Sequence, residues 1–238
     1  MSGKKAVAHS IHFRVEIVLM AFFNGELFVY LTPYMEEPGV LELPAFDIDT
    51  QFDCNLDRAV KRGVAQLLGT EAGYIEQVKT VGNATRRPGE WSVSTLYYGL
   101  IAAPSKGQLG DNWFALNQRL KTKKMAYDHL ALIYSCFKRL RTQAQYTSLP
   151  MYFLQSEFTV YELQQIYENL LDSKFDNKSF RRRFLEAGLL VSLNKHRYGC
   201  NRPAQLYCIS PQHLVHHFSR KMLGSQNRCD LVGCIALF

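Results

Sequence analysis

Runs of apolar residues dominate the first half of the chain, and their pattern predicts β-strands. Two of these runs, residues 15–23 and 27–31, flank the dipeptide Asn24-Gly25. An Asn-Gly pair between two β-rich runs is a strong signal for a β-hairpin. Further strands are expected over residues 74–81 and 93–101. The first half is therefore expected to be built around a β-sheet.

One convincing amphipathic helix lies between these strands, over residues 55–68. We expect Asp53 to cap its N-terminus and Gly69 to end it. Strands on both sides of a lone helix predict an α/β or α+β layer fold. The apolar positions of this helix follow helical spacing and are Leu56, Ala59, Val60, Val64, Leu67 and Leu68.

The pattern changes after Pro104, where helical periodicity replaces strand signals. Helices are predicted over residues 112–120 and 124–144, the second of them long. Residues 146–151 are expected to form a linker, because Pro150 would interrupt a helix there. The predicted domains are therefore 1–150, with a helical linker at its end, and 151–238.

The second predicted domain has the element order of a winged helix-turn-helix. Thr159 and Glu162 match a capping box at the start of one helix. After a short turn, Asp176 is expected to cap a second helix that ends at Gly188. A strand (189–193), a polar basic loop (194–202) and a returning strand (204–209) follow, and no motif is recognised from Ser210 onward.

Charge is distributed unevenly around this second helix. The whole chain carries 28 Lys and Arg against 21 Asp and Glu, a formal net charge of +7. Residues 151–177 contain one base and five acids, whereas residues 178–202 contain seven bases and one acid. A basic block of this kind is typical of a surface that binds a polyanion.

The basic block coincides with the two parts of a winged helix that touch DNA. Phe180, Phe184 and Ala187 share the inward face of the second helix, so its basic residues face outward or lie on the flanks. We expect the helix to read base edges and phosphates and the loop to contact the backbone or the minor groove. The alternative is a winged helix used only for protein contacts. The predicted DNA-binding residues are Lys178, Ser179, Arg181, Arg182, Arg183, Lys195, His196, Arg197, Asn201 and Arg202.

Cysteine and histidine spacing predicts no metal site. The six cysteines are scattered and are expected to be reduced thiols. Cys200, Cys208 and the histidines near residue 215 lack the paired spacing of a zinc site. No run approaches the ~18 apolar residues of a membrane helix and no secretory signal is apparent, so a cytoplasmic protein is expected.

The helix over residues 55–68 resembles a degenerate Nudix box, whose intact form is G-x5-E-x7-R-E-U-x-E-E-x-G-U, with U aliphatic. The box glutamates hold Mg²⁺ or Mn²⁺ because these hard cations need several oxygen ligands. Arg62 and Gly69 match the box, but the glutamate positions that follow Arg62 do not. Metal-dependent hydrolysis of a diphosphate is therefore not expected, and neither a catalytic residue nor a metal ligand is assigned. The residues at lost glutamate positions are Cys54, Gly63, Gln66 and Leu67.

Both halves together resemble the NrtR family, the Nudix-related transcriptional regulators of bacterial NAD metabolism. The resemblance implies an α/β (α+β) Nudix-like effector domain followed by a winged helix-turn-helix domain. It also implies a homodimer on a pseudo-palindromic operator, repression of NAD-metabolism genes, and ADP-ribose or a related nucleotide as effector, in a bacterial cytoplasm at the nucleoid. The most specific stretches are 126–130, 139–141, 146–150, 158–167, 180–184 and 202–207.

If the effector is ADP-ribose, arginines are expected to replace the cation at its diphosphate. Arg86 and Arg87 are the main candidates, with Trp91 stacking on the ligand or packing in the core. Phe46 stacks on a base or blocks the old site, and Arg62 either binds the effector or forms a structural ion pair. Alternative functions are a Nudix hydrolase of ADP-ribose-like diphosphates, a sensor of another ligand such as a sugar, and a nucleotide-responsive adaptor.

Overall fold

A computed structural model describes residues 11–87, 90–103, 107–198, 203–210, 215–222 and 224–226. These residues form two compact units. The first unit lies within Met1–Met20, Val29–Gly99 and Asn112–Cys136, and the second within Ala21–Phe28, Leu100–Asp111 and Phe137–Phe238. The domain boundary expected after residue 150 stays a prediction.

A six-stranded sheet is the main element of the first half of the chain. Its order is β6-β7-β1-β2-β8, with β5 also paired to β1. The predicted hairpin is confirmed, because Asn24 and Gly25 connect β1 and β2 with φ of 50° and 82°. The strands are β1 (His12–Phe23), β2 (Glu26–Tyr30), β3 (Thr32–Pro33), β4 (Leu41–Glu42), β5 (Ala45–Phe46), β6 (Tyr74–Arg87), β7 (Glu90–Ile101) and β8 (Trp113–Ala115).

The predicted helix between the strands is present as α1 (Leu56–Leu68). Its N-cap is Asn55, whose side chain accepts a hydrogen bond from the backbone N–H of Arg58 at 2.8 Å. The expectation that Asp53 caps the helix was wrong, since the Asp53 carboxylate is bonded to Arg62 instead. Gly69 ends the helix in the left-handed conformation, as predicted.

The prediction of a helix over residues 112–120 was wrong. That segment forms β8, which extends the sheet beside β2, followed by a 3-10 helix over Gln118–Thr122. Pairing with the edge of an existing sheet satisfies the backbone of β8, and such tertiary pairing overrides a local helical pattern.

The long helix predicted from residue 124 begins later, as α2 (His129–Ala144). Leu41 donates its N–H to the carbonyl of Lys124 at 3.0 Å, and its own carbonyl accepts from Ala126 at 2.8 Å. Tyr127 then adopts a φ of 50°. Residues 124–128 are therefore held in an extended and turned path by contacts with β4.

The second unit contains the predicted winged helix. Strands β11, β12 and β9 form an antiparallel sheet in that order. The capping box of Thr159 and Glu162 is present, and Asp176 caps α4. The elements are a 3-10 helix (Leu149–Phe153), β9 (Phe158–Thr159), α3 (Val160–Leu171), β10 (Ser173–Lys174), α4 (Asn177–Glu186), β11 (Leu190–Arg197), β12 (Ala204–Ile209) and β13 (Ser225–Gln226).

The core of the winged helix forms between the apolar faces of α3 and α4. Tyr167 lies 5.5 Å from Phe180 and 5.4 Å from Phe184 between ring centroids, in edge-to-face geometry. The Tyr167 hydroxyl donates to the carbonyl of Thr147 at 2.6 Å, so this buried phenol is satisfied. The predicted linker around Pro150 is thus partly a buried 3-10 helix.

None of the helices in the described part of the chain has the length and apolarity to cross a bilayer.

Candidate functional site

Helix α4 presents a polar and basic face to solvent. Lys178, Ser179 and Arg182 are exposed on this face, while Phe180 and Phe184 are buried on the other side. Arg182 lies 3.7 Å from Glu186, and both side chains are more than two-thirds exposed. An exposed pair of this kind contributes little stability, so the Arg182 guanidinium is available to a ligand.

The two arginines beside Arg182 are held by the fold. Arg181 donates to the Tyr207 hydroxyl of β12 at 2.8 Å. Arg183 donates to the carbonyls of Lys221 and Arg220, and its guanidinium lies 4.5 Å from the centroid of the Phe218 ring. Burial lowers the pKa of the Arg183 guanidinium. No carboxylate in the described chain counteracts this effect. Arg183 therefore packs against residues 218–221 in the structure, and its contact with DNA stays a prediction.

The basic residues predicted in the wing loop lie partly on a strand. β11 extends to Arg197 and pairs with β12, with His196 opposite Gln205. The expected loop over residues 194–202 is therefore shorter than predicted, because His196 and Arg197 pair with Gln205 and Ala204 after a register shift that follows Ser192. Asn201 and Arg202 lie outside the described residues.

Two of the wing bases are engaged with acidic residues that precede or begin α3. Lys195 Nζ lies 2.6 Å from Glu157 Oε1, and Arg197 Nη1 lies 2.5 Å from Glu162 Oε1. All four side chains are at least two-fifths exposed. His196 is exposed and forms no ion pair with the described residues. The acidic segment found in the sequence thus neutralises part of the wing.

In the first unit, Glu16 is the centre of a buried cluster of charged residues. Arg86 donates through Nη2 to Glu16 Oε2 at 2.5 Å and through Nε to Asp128 Oδ1 at 2.9 Å. The Ser94 hydroxyl donates to Glu16 Oε1 at 3.0 Å. Burial alone would raise the pKa of Glu16, but the contacts with His129 and Arg86 outweigh it and lower this pKa to about 2. Glu16 is therefore an ionised carboxylate inside the fold.

Arg87 belongs to the same cluster but is poorly satisfied. Its side chain is 8% exposed, its Nη2 lies 3.5 Å from Glu16 Oε1, and its guanidinium lies 4.8 Å from the centroid of Tyr127. Neither its Nε nor its Nη2 has a hydrogen-bond partner among the described residues. Since buried donors are nearly always bonded, these two atoms are available to a further acceptor.

His129 adds a third unsatisfied donor atom to this cluster. Its Nδ1 accepts a hydrogen bond from the backbone N–H of Leu43 at 3.0 Å, so Nε2 carries a proton. Nε2 lies 3.6 Å from Glu16 Oε1 without a hydrogen bond to a described residue. Sequence reasoning missed His129 and Glu16, since no local motif links them to Arg86 and Arg87.

At the degenerate Nudix box, Phe46 occupies the space of a side chain at position 63. A Cβ built on Gly63 would overlap the Phe46 ring. Gln66 is exposed, and its Oε1 accepts only a long bond of 3.4 Å from Arg62. These residues do not fit a divalent cation, because an aromatic ring stands where a carboxylate ligand is needed.

Arg62 forms a structural ion pair, one of the two roles considered for it. It donates through Nε to Asp53 Oδ1 at 2.9 Å and through Nη2 to Asp53 Oδ2 at 2.6 Å. Its Nη2 also reaches the carbonyl of Asp47 at 3.0 Å. The pair therefore fastens the loop before α1 to the helix.

Trp91 lies on the surface of the first unit. Its side chain is exposed, and its ring lies beside Gly82 of the neighbouring strand. Core packing, which was one alternative for Trp91, does not occur. A role in ligand binding stays a prediction.

Comparison with known proteins gives consistent matches. A family model described as the NrtR DNA-binding winged helix domain matches residues 150–209. The chain is 33% identical over 215 residues to the ADPR responsive transcriptional repressor NtrR of Acinetobacter baylyi, which covers 87% of this chain and 86% of that protein. It resembles Shewanella oneidensis NrtR crystallised with a 27mer DNA, with a TM-score of 0.78, 33% identity and coverage of 89% and 99% of the two chains.

A more distant structure shows the same fold. A MutT/nudix family protein from Enterococcus faecalis superposes with a TM-score of 0.66 at 18% identity, covering 85% of this chain and 89% of that one. The α+β architecture of the first half is therefore Nudix-like, as the sequence predicted.

Proposed function

Because this chain belongs to the NrtR family of transcriptional regulators, we propose that it is a DNA-binding repressor whose Nudix-like domain senses ADP-ribose or a related nucleotide. The observation that carries this proposal is the exposed basic face of α4 in a winged helix. The relative from Acinetobacter baylyi is named as a repressor that responds to ADP-ribose. The proposed setting is the bacterial cytoplasm, with genes of NAD metabolism as targets.

The proposed DNA contact centres on Arg182. An α-helix fits the major groove, and an arginine on its exposed face can form two hydrogen bonds with guanine. Lys178 and Ser179, on the same face, would contact phosphates. His196 of the wing would contact the backbone beside the groove, together with Asn201 and Arg202.

The wing bases Lys195 and Arg197 are available to DNA in spite of their ion pairs. Both pairs are exposed and involve single carboxylates, so each is worth at most ~1 kcal/mol. A phosphate of the DNA backbone can replace the carboxylate at this small cost.

The proposed effector site centres on Arg87. The diphosphate of ADP-ribose would supply acceptors for the unsatisfied Nε and Nη2 of this buried arginine, and the contact would be charge-assisted. The nearby Nε2 of His129 is a further donor. Arg86 would act indirectly, since its guanidinium is already bonded to Glu16 and Asp128 and positions this cluster.

We also propose that the Nudix-like domain is not a hydrolase. Gly63, Gln66 and Leu67 provide no carboxylate, and the Phe46 ring covers Gly63. Loss of the cation site leaves a domain that binds its nucleotide without cleaving it. The hydrolase alternative predicts Mg²⁺-dependent release of AMP from ADP-ribose, which we expect to be absent.

The proposed mechanism is a population shift in a homodimer. Two recognition helices bind a pseudo-palindromic operator when they are separated by about one or two turns of DNA. Effector binding favours another spacing and lowers the affinity for DNA, with a coupling of about 1–3 kcal/mol. This corresponds to a change in affinity of roughly 5- to 150-fold.

The test begins with selection of bound duplexes from a random pool, followed by mobility-shift titration with and without ADP-ribose. We expect Arg182→Ala to weaken specific binding by about 1–3 kcal/mol and Arg58→Ala, at an exposed site on α1, to leave it unchanged. Arg87→Lys should abolish the response to ADP-ribose while preserving DNA binding. Unchanged DNA affinity at a nucleotide concentration shown by calorimetry to saturate the protein would refute the switch.

A further inference from the structure

Residues 215–222 and 224–226, which we term the C-terminal strap, are hydrogen-bonded to residues just before the winged helix and to β10 within it. Phe218 donates its N–H to the carbonyl of Tyr146 at 2.6 Å, and Met222 donates to Gln145 at 2.8 Å. Farther along, β13 pairs with β10, between α3 and α4. The strap lies beyond residues 150–209, to which the family model is restricted.

Arg183 attaches the middle of the strap directly to α4. Its guanidinium donates to the carbonyls of Arg220 and Lys221 and stacks on the Phe218 ring. Phe218 in turn lies 5.3 Å from Phe184, between ring centroids. The backbone of residues 218–221 is therefore fixed along one flank of the recognition helix.

Helical geometry places the strap opposite the wing sheet. Successive residues of an α-helix are rotated by about 100°, so positions 181 and 183 lie on opposite sides of Arg182. Arg181 contacts Tyr207 of β12, whereas Arg183 contacts the strap. The exposed face of α4 is thus bordered by β12 on one side and by the strap on the other.

The strap carries positive charge and no acidic residue. Its bases are Arg220 and Lys221, and both are exposed. Lys221 Nζ lies 5.3 Å from the centroid of the Tyr146 ring. The Arg220 guanidinium has no hydrogen bond or ion pair with any residue that the structure describes, and only its backbone carbonyl is used by Arg183.

We propose that the strap is a second DNA-backbone clamp and that Arg220 contacts a phosphate on the side of the major groove opposite the wing. This inference rests on the proposed DNA-binding function. The major groove is about 12 Å wide and is bordered by two phosphate backbones, so a helix in the groove has one backbone on each flank. The wing contacts one phosphate backbone. The strap, which is held in place by Arg183, contacts the other.

The experiment measures operator affinity across a series of salt concentrations for wild type, Arg220→Ala, Arg220→Lys, Arg182→Ala and the control Arg58→Ala. The logarithm of the binding constant falls with the logarithm of salt by about 0.9 per phosphate contact, so Arg220→Ala should reduce the slope by about 1.8 in a dimer. Affinity should fall by a similar factor for operator and unrelated duplexes, because a phosphate contact carries no sequence information. Arg220→Lys should retain most of the slope.

The outcomes separate this inference from the proposed function. If wild type binds DNA and Arg182→Ala weakens it, but Arg220→Ala has the slope of Arg58→Ala, the strap proposal is wrong while the DNA-binding function stands. If wild type binds no duplex from the pool, both fall. Circular dichroism of Arg220→Ala should match wild type, since the exposed side chain stabilises no contact in the described structure.

Discussion

Replacement of Glu16 by glutamine tests the buried cluster most directly. Glu16→Gln preserves the shape of the side chain and removes its charge. In the wild type this carboxylate accepts from Arg86 and Ser94 and lies 3.6 Å from His129 Nε2, with none of the side chain exposed. The substitution leaves the buried Arg86 with Asp128 as its only carboxylate partner among the described residues.

The size of the effect follows from the pKa of Glu16. Burial raises this pKa, but His129 and Arg86 together lower it from 4.5 to about 2. One pKa unit corresponds to about 1.4 kcal/mol, so the charged form is stabilised in the fold by about 3 kcal/mol. Removing one partner of a buried ion pair typically costs about 3–5 kcal/mol, which agrees with this value. We therefore expect Glu16→Gln to lower the free energy of unfolding by about 3 kcal/mol at pH 7.

Tryptophan fluorescence during urea denaturation measures this loss in the correct unit. The chain has two tryptophans, Trp91 and Trp113, and both belong to the first unit. Glu71→Gln, at an exposed position of the same unit, is the matched control and should change stability by less than about 0.5 kcal/mol. A loss below about 1 kcal/mol for Glu16→Gln would show that the cluster does not depend on this charge.

The pH dependence has a definite sign. Because the pKa of Glu16 is lower in the fold, its contribution is complete above the unfolded value near 4.5 and is lost as the pH falls toward 2. The stability difference between wild type and Glu16→Gln should therefore be constant near neutrality and shrink between about pH 5 and 2. A difference that grows on acidification would contradict the assigned ion pairs.

Three further tests, which use four substitutions, address packing, capping and the strap. Gly63→Glu should lower the free energy of unfolding by at least about 1–3 kcal/mol, because its side chain overlaps the Phe46 ring. Phe46→Gly should recover part of this loss in the double variant. If the losses of the two single variants simply add, the overlap is refuted. Thr159→Ala should cost about 1 kcal/mol in thermal unfolding followed by circular dichroism, and no loss would argue against the capping box. Arg183→Lys should accelerate hydrogen exchange at the Phe218 amide, and unchanged exchange would show that the strap is held without the guanidinium.

Much of the fold was predictable because its signals are local. Asn24-Gly25 specifies a tight turn through two positive φ angles, and the capping box fixes the start of α3 within the sequence of one helical turn. Strand β12 was predicted with its observed bounds, since its largely apolar run is bounded by proline and serine. These elements need no information from distant parts of the chain.

The errors arose where distant contacts decide the local structure. Residues 113–115 join the sheet beside β2, more than eighty residues earlier in the chain. Residues 124–126 are held by Leu41, so α2 begins after them. In both segments the pairing with a remote backbone outweighs a helical pattern that the sequence displays.

The candidate sites also divide into a part that local sequence predicts and a part that depends on distant contacts. The exposed face of α4 was predictable, because helical spacing alone separates Arg182 from Phe180 and Phe184. The burial of Arg86 and Arg87 was not, since it depends on Glu16, about seventy residues away on β1. The contact of Arg183 with the strap also lies beyond any local pattern.

The contact between Phe46 and Gly63 limits how this site can change by mutation. A single mutation that restores an acidic residue at position 63 meets an aromatic ring already seated there. A carboxylate at position 63 would first require the ring to be lost, and the variant without the ring gains no cation ligand by itself. The order of the two substitutions is thereby constrained, because a carboxylate at position 63 fits only after the ring at position 46 has been replaced.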